Sequence, residues 1–232
     1  MKPYVICHMM APLDGRLIVS DWAKATGHSL DELVEVYDAV HDGIGADAWL
    51  SGRKTGEEFA SASFASVTEA SATPKRSVHV ANPSATSFAV IIDKDGQLRW
   101  AAGDIDGAHL IVILGPQVSD EHLSRLAGVG VSYVVSSGPK IDLSQTMKTL
   151  ATRFGIKRLM LEGGARTNGE FLKAGLVDEI SLVLFPGIGG KSNTPAIFEG
   201  GSDGLADVGA LELISVDKAG LGSLHIRYKV LK

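Results

Sequence analysis

Short β-branched runs alternate with helix-like stretches along almost the whole chain, and that alternation limits the fold more than any other feature. Runs at 4–9, 48–51, 88–92, 110–114, 131–135, 158–161 and 180–185 read as strands, and segments at 30–41, 57–65, 120–127, 143–154 and 169–173 carry helical periodicity. Parallel neighbours need a crossover between them, so the alternation predicts an α/β fold with a mostly parallel central sheet flanked by helices. The last runs, 211–216 and 223–229, alternate apolar with polar residues, which predicts antiparallel strands at the C-terminal end. No Pro/Ser-rich linker or fixed-period repeat divides the 232 residues, so 1–232 is read as a single domain.

Composition excludes several classes. The net charge of −5 gives no general positive field of the kind that gathers nucleic acid. No apolar run reaches the roughly 18 residues of a bilayer span, and the opening stretch, broken by His8, reads as strand and turn rather than a targeting signal; a cytoplasmic location is expected. The lone Cys7 allows no disulfide or thiolate cage within one chain and reads as a small buried hydrophobe. Seven histidines are scattered without metal-ligand spacing, so His8, His79 and His225 are expected to be hydrogen-bonded structural residues and no metal is expected.

Three helix starts fit the capping box, Ser29 with Glu32, Thr55 with Glu58 and Thr167 with Glu170, and Gly175 fits a helix stop. Two of these starts follow a strand directly through glycine: "AWLSGRKTGEE" through Gly52 and "LMLEGGARTNGE" through Gly163 and Gly164. In a parallel sheet such exits lie at the carboxyl edge, where α/β sheets bind ligands, and aim the free N–H groups of a helix there. A missing Cβ lets a phosphate oxygen come close to those N–H groups. A lone junction of this kind is more often only a tight turn; two on one edge bring the readings level. Arg53 and Lys54 add cations to the first exit, and the guanidinium of Arg53 suits a further phosphomonoester such as the 2′-phosphate of NADPH.

Other motifs fail. In "GIGGKSN" the first glycine required by a triphosphate loop would fall on Phe185, and "GIGADA" at 43–48 lies after a helix and before a strand, the reverse of the dinucleotide order. Neither a G-x-S-x-G elbow nor an H-E-x-x-H helix occurs.

Taken together, "MMAPLDGRL", "SGRKTGEEF" and "EGGARTNGEFLKAGLVDEISLVLFPGIGGKSN" resemble the C-terminal reductase domain of the bifunctional riboflavin-biosynthesis deaminase-reductase, over most of the chain from Tyr4 to about Phe198. The resemblance implies a dihydrofolate-reductase-like three-layer fold and an NADPH-dependent reductase, often a homodimer, acting on a pyrimidine- or pteridine-like small molecule. The reaction it implies is reduction of 5-amino-6-ribosylamino-uracil phosphate. By residue, Gly52, Arg53 and Thr55 match the first phosphate-binding turn, and Gly163, Gly164, Ala165, Arg166, Thr167 and Asn168 match the turn beneath the pyrophosphate. Glu162 matches a substrate-facing position, and Asp14 with Gly15 the loop beside the nicotinamide; Asp14-Gly15 is at least as well read as an ordinary turn. Members usually carry Asp-Pro-Leu-Arg after the matched threonine to hold a ribose phosphate; here "GEEFASASFASVTEASATPKRS" follows Thr55 without it. No H-x-E or P-C-x-x-C element is present, so no deamination is expected.

The expected chemistry is hydride transfer to an imine, carbonyl or ring C=N, with the coenzyme supplying reactivity and the protein supplying position. Glu162 is the residue expected to orient substrate or relay a proton, and Asp14 is grouped with it. A dihydrofolate-type or other heterocycle reductase and a non-catalytic NADPH-binding sensor are the alternatives.

Overall fold

A computed structural model of the chain describes residues 1–64 and 74–232. The elements in chain order are β1 (Tyr4–Pro12), α1 (Leu30–Ile44), β2 (Ala48–Gly52), α2 (Arg53–Gly56), β3 (Val78–His79), β4 (Phe88–Ile92), β5 (Asp104–Ile105), β6 (Ala108–Leu114) and α3 (Asp120–Gly128). They continue as β7 (Ser132–Val135), α4 (Leu143–Arg153), β8 (Arg158–Leu161), α5 (Ala165–Lys173), β9 (Glu179–Phe185), β10 (Leu211–Gly220) and β11 (Ser223–Val230). The fold is α/β with mixed sheet and flanking helices, and the chain forms two compact units.

The first unit comprises Met1–Pro3 and Asp47–Leu159. Strands β2, β4, β6 and β7 pair in parallel in that order, while β3 pairs antiparallel with β7 and β5 with β6. β6 is buried at all seven positions, which explains why its sequence runs apolar without alternation from Leu110 to Leu114. Leu110, Val112 and Leu114 pack with Trp100, Leu123, Leu126 and Tyr133 in one cluster, each such aliphatic side chain contributing roughly 1.5–3 kcal/mol by leaving water. Ser119 and Asp142 cap α3 and α4 by accepting the N–H of His122 and Gln145.

The second unit comprises Tyr4–Ala46 and Met160–Lys232. β1 runs parallel to β9, with Ile6 opposite Glu179 and Pro12 opposite Phe185; β11 then adds antiparallel to β9, and β10 antiparallel to β11. The expected antiparallel strands at the C-terminal end are therefore present. α1 begins at Ser29 with the complete capping box to Glu32 and lays Leu33, Val36, Tyr37 and Val40 against Trp22, Val183 and Phe185. Gly175, at φ +63°, ends α5: the N–H of Gly175 and of Leu176 return to Leu172 and Phe171, as in a Schellman motif.

Three expectations are corrected. The helix expected at 57–65 does not form over 57–64, and Ala65 lies outside the described residues; α2 is a single turn ending at Gly56. The chain leaves the helical path because Ser61 donates its N–H to the carbonyl of Arg99, while Phe59 packs on Trp49 with ring centroids 5.4 Å apart. The capping boxes at Thr55 and Thr167 are also absent: each threonine lies inside the first turn, and Gly52 and Gly164 are the N-caps. A threonine in helical conformation cannot turn its hydroxyl onto the N–H groups that an extended N-cap would face. Finally, α5 begins at Ala165, ahead of the expected 169. Gly169 sits within it because a Cβ there would lie 1.9 Å from the carbonyl oxygen of Glu199, the strand of chain that crosses the helix.

Candidate active site

The exit from β8 is built from residues with different jobs. Gly163 has φ +96°, a region that side chains strain to enter, and the peptide joining it to Gly164 is cis. Gly164 is extended (φ −68°, ψ −171°), and a Cβ placed on it would meet only Leu17 Cδ2, at an ordinary 3.8 Å. Neither its torsions nor its protein neighbours call for glycine, so its bareness leaves open space above the first turn of α5. That nine-residue helix starts with the N–H groups of Ala165, Arg166 and Thr167, which have no partner one turn back. Asn168 is fully buried; it donates to the carbonyl of Ile197 at 2.8 Å and braces the turn from behind. Arg166 extends outward, its side chain 90% exposed and 3.9 Å from Glu199.

Glu162 stands between the end of β8 and this turn. Its Oε1 lies 2.8 Å from Nδ1 of His41 and accepts from the Tyr37 hydroxyl at 3.1 Å. Both contacts converge on one oxygen, and among the described residues Oε2 has no partner. Tyr37 shares its hydroxyl proton with the backbone carbonyl of His8 at 3.2 Å and stacks on the His8 ring with centroids 4.3 Å apart. The hydrogen bond to Glu162 raises the pKa of His41 above the ordinary histidine range against the opposing effect of burial. Burial first, then Glu162, places the Tyr37 hydroxyl well above its usual value.

Behind this pair a second chain of polar groups crosses the sheet. His8 faces Ser181 across the β1–β9 pairing, and Nδ1 of His8 lies 3.0 Å from Oγ of Ser181, which is itself 2.7 Å from Nε2 of His225. Burial pushes His8 down to about 3, so its ring is neutral, and burial also lowers His225. Nε2 of His8 is buried without a partner among the described residues. The expectation that His8 and His225 are hydrogen-bonded holds. Cys7 is buried and free, its thiol raised by the same desolvation.

Asp14 follows β1 in a turn where Gly15 has φ +69°. Its two oxygens accept the N–H of Gly189 at 2.9 Å and of Gly190 at 2.8 Å, with Arg16 at 3.5 Å. These backbone donors hold the carboxyl below its usual range. The amides of "GIGG" thus grip a carboxylate of the same unit, which fits that stretch's failure as a triphosphate loop.

In the first unit, Gly52 ends β2 and caps α2. Arg53 pairs with Glu57 one turn later at the surface, and Thr55 lies in the turn itself. Gly56 is required by packing, because a Cβ there would lie 2.7 Å from Cγ2 of Ile91. A cavity of about 650 Å³ in this unit, lined by Ser84, Ser87, Asp104 and His109, lies at the amino ends of β4 and β6 and away from the Gly52 turn.

Sequence reasoning placed Glu162 and its glycines correctly at a strand exit but missed Tyr37, His41, His8, Ser181 and His225 as its surroundings. These come from β1, α1, β9 and β11, so no contiguous motif holds them. The one available signal was the i, i+4 spacing of Tyr37 and His41, which puts both on one face of α1.

Comparison with known proteins identifies the family of the chain. The family described as the RibD C-terminal domain matches residues 3–220. The 2,5-diamino-6-ribosylamino-4(3H)-pyrimidinone 5′-phosphate reductase of Aquifex aeolicus is 28% identical over 201 residues, covering 86% of this chain and 84% of that protein. The protein of the same name from Methanothermobacter thermautotrophicus is 29% identical over 218 residues, covering 92% of each. Among solved structures, a pyrimidine reductase-like protein from Corynebacterium diphtheriae matches with a TM-score of 0.68 at 19% identity, over 99% of this chain and 92% of that one. RibD from Acinetobacter baumannii matches with a TM-score of 0.65 at 21% identity, over 99% of this chain and 58% of that one. At such identities the structural matches speak for the fold, which is the dihydrofolate-reductase-like one. No helix among the described residues is long and apolar enough to cross a membrane.

Proposed function

Since the chain belongs to the RibD C-terminal domain family, we propose that it is an NADPH-dependent reductase of riboflavin biosynthesis acting on a ribosylamino-pyrimidine 5′-phosphate. The observation that carries this reading is the β8–Glu162–Gly163–Gly164–α5 junction, in which a free carboxylate oxygen stands next to a bare helix start, within a family match that runs through both units. That run also supports reading 1–232 as one reductase domain.

The bound coenzyme would supply a hydride from C4 of its nicotinamide to an imine or carbonyl carbon of the opened ribose. The space over Gly164 and the free N–H groups of Ala165, Arg166 and Thr167 fit a pyrophosphate, with Gly163 shaping the turn and Asn168 bracing it from behind. In the first unit, Gly52, Arg53 and Thr55 are assigned to coenzyme phosphate, Arg53 to the 2′-phosphate. Glu162 is assigned to the substrate's ring through Oε2. Asp14 acts by fixing the Gly189–Gly190 loop, since both of its oxygens are taken up there.

The pyrimidine in the relatives' name carries an amino group at C2 of the ring where the uracil compound carries an oxygen. Purified protein offered NADPH with each of these phosphates, and separately with dihydrofolate, should oxidise NADPH with one or both pyrimidines. Turnover of dihydrofolate alone would move the assignment to the other reductase class, and NADPH binding without turnover of any of them would leave a sensor.

A homodimer formed through β10 is part of the same reading. β10 is the outer strand of the second unit's sheet, and Leu211, Leu213, Ile214 and Val216 are 45–55% exposed on it. A long apolar edge with open backbone groups is an aggregation site unless something covers it, and a second copy of the strand matches both its apolar side chains and its backbone donors. Light scattering should give the dimer mass, and Leu213→Glu with Val216→Glu should give a folded monomer; a wild-type monomer at high concentration removes the dimer. A cytoplasmic location goes with the need for NADPH and the free Cys7 thiol.

A further inference from the structure

Glu162 is held asymmetrically. Tyr37 and His41 sit one turn apart on α1 and both reach Oε1, at 3.1 and 2.8 Å, while Oε2 meets no protein group among the described residues. The side chain of Glu162 is 17% exposed, so the open oxygen borders solvent although the rest of the group is enclosed. An unrestrained glutamate loses rotamer freedom whenever it binds a ligand, and a carboxylate pinned by two donors has already lost it.

We propose that His41 is a positioning residue: with Tyr37 it commits one oxygen of Glu162 and so presents the other to an N–H donor on the substrate's amino-pyrimidine ring. This rests on reading Glu162 as the substrate-facing residue. Tyr37 is the weaker partner because its single hydroxyl proton is divided between Glu162 and the carbonyl of His8. His41 is the stronger, since its protonated form makes a charge-assisted bond to the carboxylate. Its position in the last turn of α1 places that positive charge where the helix favours one.

The groups around His41 act in both directions. On α1 itself Asp38 and Asp42 favour its charged form, as does Glu162 from beyond β8. From β1, the His8 ring centroid lies 6.3 Å away, and from β11 His225 lies 6.5 Å from His8; burial keeps both of these on the neutral side. The site therefore has one histidine that keeps its proton to higher pH than usual and two that give theirs up early. Deprotonation of His41 should weaken the grip on Oε1, and pyrimidine binding should decline on the alkaline side through the titration of this single group.

The test uses the intact protein, His41→Ala, His41→Asn and Tyr37→Phe. The amide nitrogen of asparagine falls near the place of Nδ1 and donates without titrating. His41→Ala should raise KM for the pyrimidine about tenfold or more with KM for NADPH unchanged, and His41→Asn should recover most of that loss while abolishing the alkaline limb of kcat/KM. Tyr37→Phe should keep the limb and cost less. A His41→Ala enzyme with wild-type KM and an unaltered pH profile overturns the positioning role while leaving the reductase reading intact. A readout free of turnover is the titration of the His41 ring by NMR: it should lie above the ordinary histidine value and drop back in Glu162→Gln. An ordinary titration that ignores Glu162→Gln overturns the proposal even if no pyrimidine is ever reduced.

Discussion

The two strand exits look alike in sequence, each running from a glycine past a basic residue to a threonine, yet the glycines in and just after them exist for different reasons. In the first unit Gly56, which follows that exit's threonine at the end of α2, answers to the protein, since a Cβ would collide with Ile91. In the second, Gly163 answers to the backbone through its positive φ, while Gly164 answers to neither. Only a glycine that the chain itself does not need leaves room for something outside the chain. The first exit is also a single turn whose arginine is paired with Glu57, whereas the second opens a nine-residue helix with a carboxylate at its entrance. The difference teaches that the motif "strand, glycine, helix" identifies a ligand cradle only once packing demands have been subtracted.

The largest expected effect tests that subtraction directly. Gly164→Val should keep its fold but lower NADPH affinity about a hundredfold, the loss of two or so backbone hydrogen bonds to the pyrophosphate at 1–3 kcal/mol each. Gly56→Ala should do the opposite, costing about 1–3 kcal/mol of stability through overpacking while the folded fraction binds NADPH normally. Calorimetric titration with NADPH alongside denaturant unfolding reads both. A Gly164→Val protein with unimpaired affinity would erase the distinction between the exits.

Next in size is a pH effect that belongs to the second exit alone, through the histidines at its back. His8 has a folded pKa near 3 against about 6.5 unfolded, so as pH falls below 6.5 the unfolded chain takes up a proton that the native one refuses. Its contribution is intact above pH 6.5 and is eroded between 6.5 and about 3, amounting to roughly 2 kcal/mol lost by pH 5. His41 has the opposite sign: its raised pKa stabilises the fold fully below 6.5, and the benefit fades as pH rises through the folded value. His8→Asn should flatten the acid loss and His41→Asn should steepen it. Urea unfolding at pH 5 and 7 measures the two slopes, and parallel changes in both variants would contradict the opposed environments.

What the sequence made legible follows from the range of the forces involved. Apolar runs and their spacing are local, so nine of the eleven strands among the described residues, the capping box at Ser29 and the stop at Gly175 could be placed without coordinates, while the two-residue β3 and β5 are too short to leave such a run. The helix expected at 57–65 was lost to one long-range bond, from Ser61 to Arg99, that no local pattern announces. The threonine caps were misplaced because an N-cap is decided by backbone torsion, and Gly52 and Gly164 take the extended conformation first. The link from Asp14 to Gly189 and Gly190, 175 and 176 residues away, and the grouping of Tyr37 and His41 on Glu162 are products of tertiary structure. Resemblance pointed to Glu162 as a candidate; only packing supplied the Tyr37 and His41 groups that hold one of its oxygens.

The smallest effect separates the two arginines, one at each exit. Arg53 lies half-exposed against Glu57, a surface pair worth little in itself, so a 2′-phosphate competes for the guanidinium at small cost. Arg53→Ala should weaken NADPH by about tenfold and leave NADH nearly unchanged, because only the phosphorylated coenzyme offers the two-pronged partner. Arg166 is far more exposed and only loosely near Glu199, so it acts as a screened charge beside the helix start. Arg166→Ala should weaken both coenzymes alike, by about two- to threefold, and that weakening should vanish at high salt. The ratio of NADPH to NADH affinity is thus the measurement that tells a selecting residue from a merely attracting one, and an Arg53→Ala ratio equal to the wild-type ratio would take the 2′-phosphate away from the first exit.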